Sequence, residues 1–264
     1  MLAILRSLWL FRGFILGSVR REFQSKYLNS MLGVVWTVIQ PLAMILVYTL
    51  IFSQIMRAKL PGIEGDFAYS IFLCSGILTW ALFLEVTSRC QNMFLEQANL
   101  IKKVRFPRLA LPVIVTITAL LNFGIIFGLF SLFLLVSGNF PGVVYIALVP
   151  VLLVQLIFCV GLGVVLGVLN VFFRDVGQAY TVVLQFWFWL TPIVYPASIL
   201  PEHLRGFLAY NPLVGLMTAY QDIIGRSQWP DWSQLLPLLV LGLIFCVLGL
   251  KLFRGRVGEM VDEL

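Results

Sequence analysis

The side chains that most often perform chemistry in proteins are few in this chain, and their spacing matches no common metal site or catalytic motif. Its one histidine, His203, excludes a zinc site of the HExxH type. We interpret His203 as an exposed or interfacial residue, with a pH-sensing or ligand-binding role as the alternative. The four cysteines have no CxxC spacing, which favours buried apolar thiols over a disulfide or metal site. No spacing indicates a nucleophile with its base, and no GxxxxGK(S/T) phosphate loop is present.

Charged side chains are also nearly absent from the long apolar stretches. Only Glu85 comes close, and we expect it to reach the inner membrane interface together with Arg89. A proton-coupled or ion-coupled pump normally places Asp, Glu or His within its spans. The energy for active transport therefore has to come from another protein, or the chain is a passive channel.

The composition of the chain predicts that most of it lies in a lipid membrane. Of the 264 residues, 61% are hydrophobic and 11% are charged, and the mean hydropathy is +1.00. A soluble domain is usually about 45–50% apolar and about 25% charged, so lipid must solvate most of this surface. The excess of 18 Lys and Arg over 12 Asp and Glu is interpreted as an orientation signal rather than as a nucleic-acid surface.

Six stretches are long and apolar enough for spanning helices, which need about 20 residues each. They predict an all-α integral membrane protein with one transmembrane domain, residues 1–264, and spans at 34–56, 67–88, 109–136, 143–172, 176–195 and 233–253. The third and fourth spans separate at a cluster of turn-forming residues, 137–142. Two GxxxG patterns, Gly124 with Gly128 and Gly163 with Gly167, predict close approach between helices.

The distribution of basic residues predicts the orientation. Six spans place both termini on the same side of the membrane. If that side is the cytoplasm, the inner segments hold 14 of the 18 Lys and Arg residues and the outer segments hold four. The positive-inside rule therefore predicts a multi-pass protein with both termini in the cytoplasm.

Three segments lie outside the predicted spans. Residues 1–33 are interpreted as a cytoplasmic, interfacial segment, and residues 89–108 as an inner loop. Residues 196–232 are too apolar for an ordinary loop and too short for two more spans, so they predict short re-entrant helices on the outer side. Within them Asn211 is a candidate N-cap, Pro212 suits the first helical position, and the helix would end near Gly225.

Four short motifs carry a resemblance to a known family. They are the segments 99–108 (NLIKKVRFPR, followed by Leu111-Pro112), 173–176 (FRDV), 191–196 (TPIVYP) and 211–212 (NP). In their order and their places relative to the six spans, they resemble the membrane (permease) subunit of type-2 ABC exporters of polysaccharides. The likeness covers nearly the whole chain and is closest to the exporters of O-antigen and related lipopolysaccharide chains.

The resemblance implies a partner and a cargo. Two copies of the chain would enclose a channel, and each would bind a cytoplasmic ATPase subunit that holds ATP and Mg, so that this chain binds no cofactor or metal itself and has no catalytic residue. The cargo would be a polysaccharide on a polyprenyl diphosphate lipid, moved from the cytoplasmic to the periplasmic side of the bacterial inner membrane. Capsular or teichoic-acid-type polymers are the alternative cargo, and no nucleic acid is expected.

Two readings of another class stay open. An intramembrane enzyme acting on lipid-linked glycan would need an acid or base near the membrane face, and Asp66, Glu85 and Asp175 are the only candidates. A passive channel would need no ATPase partner.

In the inner loop, the resemblance implies a coupling helix that fits a cleft on the ATPase. Its apolar stripe would comprise Met93, Phe94, Leu100, Ile101 and Val104. The residues expected to couple the two subunits are Glu96, Asn99, Leu100, Ile101, Lys102, Lys103, Arg105 and Phe106. The alternative is a basic loop that rests on anionic lipid headgroups.

Two further groups of residues follow from the implied cargo. The candidates for binding the lipid diphosphate are Arg20, Arg21, Lys26, Arg89 and Arg174. The alternatives are the ordinary inner charge bias and, for Arg174, a structural ion pair with Asp175.

The candidates for lining the channel are Tyr48, Trp80, Phe83, Gln155, Gln185, Trp187, Trp189 and Tyr195. Flat rings can stack on sugar faces, but such rings also favour the membrane interface or the protein core, and the glutamines can also join helix to helix.

Overall fold

The computed structural model describes residues 8–25, 67–103, 106–197 and 210–263, together with positions 6, 35, 39, 42–43, 45–47, 50, 201, 206 and 208. Most of the predicted first span, 34–56, lies outside the described residues. So do six residues singled out above: Lys26, Tyr48, Asp66, Val104, Arg105 and His203.

The four continuous described ranges contain eight α-helices. They are α1 (Arg12–Ser25), α2 (Ala68–Glu96), α3 (Ala98–Lys103), α4 (Ala110–Val136), α5 (Leu148–Phe172), α6 (Asp175–Trp189), α7 (Pro212–Gly225) and α8 (Trp232–Glu263). A short 3-10 helix, Gly142–Ala147, leads directly into α5. The all-helical fold class predicted from the sequence is confirmed for these residues.

Four helical stretches in the described part are long and apolar enough to cross a membrane. They are Ala68–Glu96, Ala110–Val136, Gly142–Phe172 and Trp232–Arg256. They coincide with the second, third, fourth and sixth predicted spans. The turn predicted at 137–142 separates the third and fourth, and Gly138 and Gly142 there have φ values of +75° and +68°, which glycine adopts without strain.

Three helix boundaries differ from the expected spans. Helix α2 continues to Glu96, eight residues past the expected end at 88. Helix α6 ends at Trp189, six residues before the expected end at 195. At about 1.5 Å per residue, its 15 residues span about 22 Å. Pro192 disfavours helical backbone in the residue before it, and residues 191–195 bend instead. Helix α8 runs beyond the expected end at 253, to Glu263.

Helix α5 lies at the centre of the bundle, between α2 and α8. Glycines permit this packing: a Cβ on Gly167 would lie 2.5 Å from the Cys90 carbonyl oxygen of α2, and a Cβ on Gly161 would lie 2.8 Å from the Gly242 carbonyl oxygen of α8. The close approach predicted at Gly163 and Gly167 is therefore confirmed. The part of the chain that the structure describes has no atom within 4 Å of a Cβ on Gly124 or Gly128, so the same prediction is wrong for that pair within those residues.

Candidate functional site

An ion-pair cluster joins helix α1 to helix α2. Arg89 forms an ion pair with Glu22, which lies 67 residues earlier on α1. Its other terminal nitrogen lies 3.5 Å from Glu85, one turn away on the same helix. Glu85 and Arg89 are therefore in contact, and their predicted position at the inner membrane interface stays a prediction. All three side chains are partly exposed, with 26% exposure for Arg89, so the cluster lies outside the buried core.

Two polar residues of helix α4 complete the cluster. The Thr118 hydroxyl donates to Glu22 Oε2 at 3.1 Å, and the Asn122 amide donates to Glu85 Oε1 at 2.7 Å. The cluster borders a cavity of about 310 Å³, which Glu22, Phe23, Ser25, Glu85, Arg89, Thr118 and Asn122 line. Three helices thus meet around one guanidinium group.

Apolar contacts attach the rest of α1 to α4. Ile15 and Val19, one turn apart on α1, are 5% exposed and form a small core with Ala110 and Ile114. Phe14 contacts Phe106 with ring centroids 5.1 Å apart. Helix α1 is therefore fixed by an apolar face near its middle and by Glu22 near its C-terminal end.

The other described lipid-diphosphate candidates lie on the surface. Arg20 and Arg21 are exposed on α1, where Arg21 donates to the Ser18 hydroxyl at 3.1 Å. Arg174 is exposed at the N-terminus of α6. Among the described ion pairs, none joins Arg174 to Asp175, so the structural pair considered above is not found. Asp175 instead lies in the first turn of α6, where a carboxylate interacts favourably with the helix dipole.

The predicted coupling helix corresponds to α3, a six-residue helix that follows a break in helical geometry at Gln97. Lys102, Lys103 and Asn99 are exposed on it, and Glu96 is exposed at the end of α2. Leu100 and Phe106 are half-buried. The exposed surface of this segment is therefore mainly polar.

The expected apolar stripe does not face outwards. Met93 and Phe94 belong to α2 and are 2% and 0% exposed, and Ile101 of α3 is 6% exposed. Phe94 stacks on Phe253 of α8 with ring centroids 5.8 Å apart. Since these side chains fill this chain's own core, the expectation that they insert into a partner is wrong for Met93, Phe94 and Ile101.

An open groove of about 500 Å³ lies between α2 and α6. It is lined by Trp80, Leu84, Ser88, Thr181, Leu184, Gln185, Phe188 and Trp189. Three predicted channel-lining residues, Trp80, Gln185 and Trp189, are therefore brought together. Trp80 and Phe188 meet edge to face with centroids 5.6 Å apart, and Trp189 is 65% exposed.

Three other predicted lining residues point into the protomer. Phe83 and Gln155 are 0% exposed, and Trp187 packs against Phe83 at 5.5 Å. The four aromatics at 186–189 point around most of the helix, so they cannot all face one side. Phe83, Gln155 and Trp187 therefore pack inside the protomer and not on the open face that Trp80, Gln185 and Trp189 share. The Tyr195 hydroxyl donates to the Trp189 carbonyl oxygen at 2.7 Å and helps to shape the bend after α6.

Buried hydrogen bonds hold α7 inside the bundle. The Tyr220 hydroxyl donates to Gln155 Oε1 at 2.8 Å, and the Gln155 amide donates to the Thr79 carbonyl oxygen at 2.9 Å. The Gln221 amide donates to the Pro192 carbonyl oxygen at 3.0 Å. Gln155 thus joins α5 to α7 and α2, which is the helix-to-helix role considered above.

Asn211 connects the start of α7 to the end of α6. Its side-chain oxygen accepts from the Leu213 backbone N–H at 3.1 Å and from the Trp187 indole N–H at 2.9 Å. Its amide donates to the Leu190 carbonyl oxygen at 3.1 Å and to the Thr191 hydroxyl at 2.9 Å. The predicted N-cap, the proline at the first helical position and the helix end at Gly225 are confirmed.

The described residues offer no metal centre, since no three of their His, Cys, Asp or Glu side chains cluster suitably. All four cysteines are free thiols. Cys74, Cys90 and Cys159 are buried and Cys246 is half-buried, as the sequence predicts.

Glu22 is the functional candidate that sequence reasoning missed. It lies on a segment with scattered charges, and its partner Arg89 is 67 residues away. No local spacing marks such a pair. Asn122 has a weak sequence signal, because a neutral amide within an apolar span needs a hydrogen-bonding partner.

Comparisons with known proteins agree on one family. The membrane family described as ABC-2 type transporter matches residues 15–224. The O-antigen export system permease protein RfbA of Myxococcus xanthus is 32% identical over 266 residues and covers all of both chains. A protein of the same name from Klebsiella pneumoniae is 29% identical, covering 89% of this chain and 88% of the relative. The polysialic acid transport protein KpsM of Escherichia coli is 20% identical, covering 92% and 93%.

Proposed function

Because the chain belongs to the ABC-2 type transporter membrane family, we propose that it is the membrane subunit of an ATP-driven exporter of O-antigen-type polysaccharide. The cargo, carried on a polyprenyl diphosphate lipid, would cross the bacterial inner membrane from the cytoplasmic to the periplasmic side. The observation that carries this proposal is the 32% identity, over both full lengths, to an O-antigen export permease.

Family membership makes the chain a transport subunit and not an enzyme. It also implies a separate ATPase subunit and a polysaccharide substrate. Neither the intramembrane-enzyme reading nor the passive-channel reading fits this family, in which a partner protein uses ATP.

The coupling contact is proposed at the exposed residues around α3. Glu96, Asn99, Lys102 and Lys103 offer both signs of charge and an amide to the ATPase, and the more buried Ile101 and Phe94 hold the segment to the bundle. Such polar surfaces recognise partners through complementary charge. Because α3 follows directly from the end of α2, a force on α3 would reach the helix that carries Trp80 and Arg89.

Two copies of the chain are proposed to enclose the channel, each with six spans and cytoplasmic termini. The groove between α2 and α6 supports this arrangement, because its aromatic rings and Gln185 lie on an open face of the protomer. Flat rings tolerate sliding along a repeating polymer, since no fixed set of hydrogen bonds must break at each step. Arg20, Arg21 and Arg174, exposed near the proposed cytoplasmic face, would attract the diphosphate.

Capsular or teichoic-acid-type polymers remain the second candidate cargo. The 20% identity to a polysialic acid transport protein over 92% of the chain favours a shared mechanism for different glycans. The higher identity to the O-antigen export permeases supports O-antigen as the first candidate.

Affinity purification tests the proposed assembly. The tagged chain is expressed at its native level, extracted in mild detergent and identified with its partners by mass spectrometry. We expect one soluble protein containing a GxxxxGK(S/T) phosphate loop in a one-to-one ratio with the chain. A chain that is recovered only with itself would contradict an ATP-driven exporter.

A further inference from the structure

Arg89, a lipid-diphosphate candidate that borders a cavity, already has an acidic partner from another helix. Arg89 forms its ion pair with Glu22 of α1 on one terminal nitrogen and approaches Glu85 with the other. Arg20, Arg21 and Arg174 are exposed, whereas Arg89 borders a cavity of about 310 Å³. A carboxylate and a phosphate present similar pairs of oxygens to guanidinium, so each can take the place of the other.

The charges around this cavity restrict what it can hold. Its lining includes two carboxylates, Glu22 and Glu85, and one guanidinium group. A second anion placed beside Glu22 would meet like charge at short range in a partly desolvated site, which is unfavourable. Glu85 accepts a hydrogen bond from Asn122 and approaches only one terminal nitrogen of Arg89, at 3.5 Å, so the carboxylate that must move away before an anion binds is that of Glu22.

We propose that Arg89 binds a phosphate group of the lipid-linked cargo and that this phosphate replaces the Glu22 carboxylate. This proposal rests on the cargo proposed above. Glu22 occupies the site in the unloaded protomer. Arrival of the cargo then exchanges one anion for another and frees the C-terminal end of α1 from α2.

The contacts of α1 allow this exchange without release of the whole helix. Ile15 and Val19 stay packed on α4, and Phe14 stays against Phe106. Glu22 lies near the last turn and is 40% exposed, so it can turn towards water at little cost. The Thr118 hydroxyl, which donates to Glu22 in this arrangement, becomes a donor for the phosphate after the exchange.

The test measures binding of phosphate compounds to the complete transporter in lipid nanodiscs. Undecaprenyl diphosphate is titrated into the native protein and into the Glu22→Gln and Arg89→Gln variants, with bound lipid counted by native mass spectrometry. Sodium pyrophosphate and phosphatidylglycerol are titrated in parallel. Arg226→Gln is the matched control, because Arg226 forms an ion pair with Asp222 in a segment distant in sequence.

Glu22→Gln removes the competing charge, so undecaprenyl diphosphate should bind about threefold more tightly, the effect expected for a partly exposed ion pair. Arg89→Gln should weaken binding about tenfold, and Arg226→Gln should leave it unchanged. In the native protein, undecaprenyl diphosphate should also increase amide hydrogen exchange in residues 20–25. If pyrophosphate ranks the variants in the same order, the site recognises the diphosphate group alone. If only undecaprenyl diphosphate gives this order, the site recognises the diphosphate when it is attached to a lipid.

Binding to Glu22→Gln that equals or falls below that of the native protein would overturn the exchange while leaving the proposed function intact. A misfolded variant cannot gain affinity, so the expected increase is not open to that explanation. A native transporter that binds no undecaprenyl diphosphate would instead contradict the proposed cargo. Equal binding of phosphatidylglycerol in all variants would show general lipid adhesion and overturn the phosphate site.

Discussion

Arg89 lies where α1, α2 and α4 meet, and Asn211 has a similar position where α6 turns into the segment before α7. Arg89 is reached by Glu22 and, through Glu85, by Asn122. Asn211 makes four hydrogen bonds, two through its oxygen and two through its amide. In lipid, where backbone groups cannot exchange partners with water, such side chains satisfy the polar groups that bends leave open.

Replacement of Asn211 tests whether its hydrogen bonds stabilise the junction between α6 and α7. Asn211→Ala loses the N-cap and leaves the Trp187 indole without its acceptor, so we expect a loss of about 1–2 kcal/mol in the free energy of unfolding. Asn211→Asp keeps the oxygen acceptors and loses the amide donors, and its loss should be smaller. Unfolding in mixed micelles, followed by tryptophan fluorescence, measures both. Equal stability of Asn211→Ala and the native chain would contradict the assignment.

The close contact between α5 and α2 at Gly167 can be tested by adding a methyl group there. A Cβ there would lie 2.5 Å from the Cys90 carbonyl oxygen, so Gly167→Ala should destabilise the chain by about 1–3 kcal/mol. Gly124→Ala is the matched control, since no described atom lies within 4 Å of its added Cβ. Thermal aggregation in one detergent compares the two. If the Gly124 variant is the less stable, the packing described here is wrong.

Local patterns in the sequence predict single residues well only when the partners are close in the chain. Asn211, Pro212 and Gly225 lie on one short helix, and their cap and end follow from backbone geometry alone. Glu22 and Arg89 are joined only by the tertiary fold, across 67 residues. The sequence could place Arg89 near the inner interface, but it could not supply its partner.

At the scale of elements, α3 shows why an apolar stripe does not identify a partner surface. Apolar residues along 93–104 are compatible both with a partner's cleft and with the chain's own core. The helix α8 decides between them, because Phe253, at the end of its predicted span, stacks on Phe94, and Met260 in its extension past residue 253 is buried. The exposed charges of Lys102 and Lys103 then remain as the surface for recognition.

Charge reversal tests that surface. The triple variant Glu96→Lys, Lys102→Glu, Lys103→Glu inverts its charges without entering the core, so we expect at least about a tenfold loss of ATPase subunit recovered with the tagged chain. The control Lys251→Glu, Arg254→Glu alters two exposed residues of α8. Quantitative mass spectrometry of the purified complexes compares them. Full recovery of the ATPase and intact export in the triple variant would show that α3 is not the coupling element.

The lengths of the helices were predictable where charge or turn residues bound an apolar stretch, as at 137–142. They were less predictable where a proline acts inside it: α6 ends at Trp189, three residues before Pro192. Helix α2 continues past Arg89 to Glu96, because a charged side chain at the interface does not end a helix. Composition indicates where lipid contact stops, whereas hydrogen bonding determines where a helix stops.

At the scale of the whole molecule, the charge bias predicts which ends face the cytoplasm. A single cysteine at Asn139, in the exposed turn between α4 and the 3-10 helix, should react with a membrane-impermeant maleimide added to intact cells lacking an outer-membrane barrier. A cysteine at Gln178, exposed near the start of α6, should react only after the inner membrane is opened. The native chain, with three buried thiols and one half-buried thiol, gives the background. The reverse labelling would invert the orientation.

The fold class follows from the sequence because lipid imposes strong rules on composition and charge, whereas the family follows from the resemblance of four short motifs. The arrangement around α5 does not follow from them, since it depends on which glycine faces which helix. Gly163 and Gly167 meet α2, while Gly124 and Gly128 meet no described neighbour, although both pairs have the same spacing.

The proposed function requires that this chain moves a polyprenyl-diphosphate-linked glycan when a partner hydrolyses ATP. Its most direct test is transport in proteoliposomes that contain the chain and its ATPase, with labelled lipid-linked O-antigen in the leaflet that faces the ATPase. We expect ATP, and not a non-hydrolysable analogue, to move the glycan to the opposite leaflet, where an added glycosidase can no longer reach it. The proposed function would be contradicted if transfer proceeded equally without ATP, or if proteoliposomes lacking this chain transferred the glycan as well.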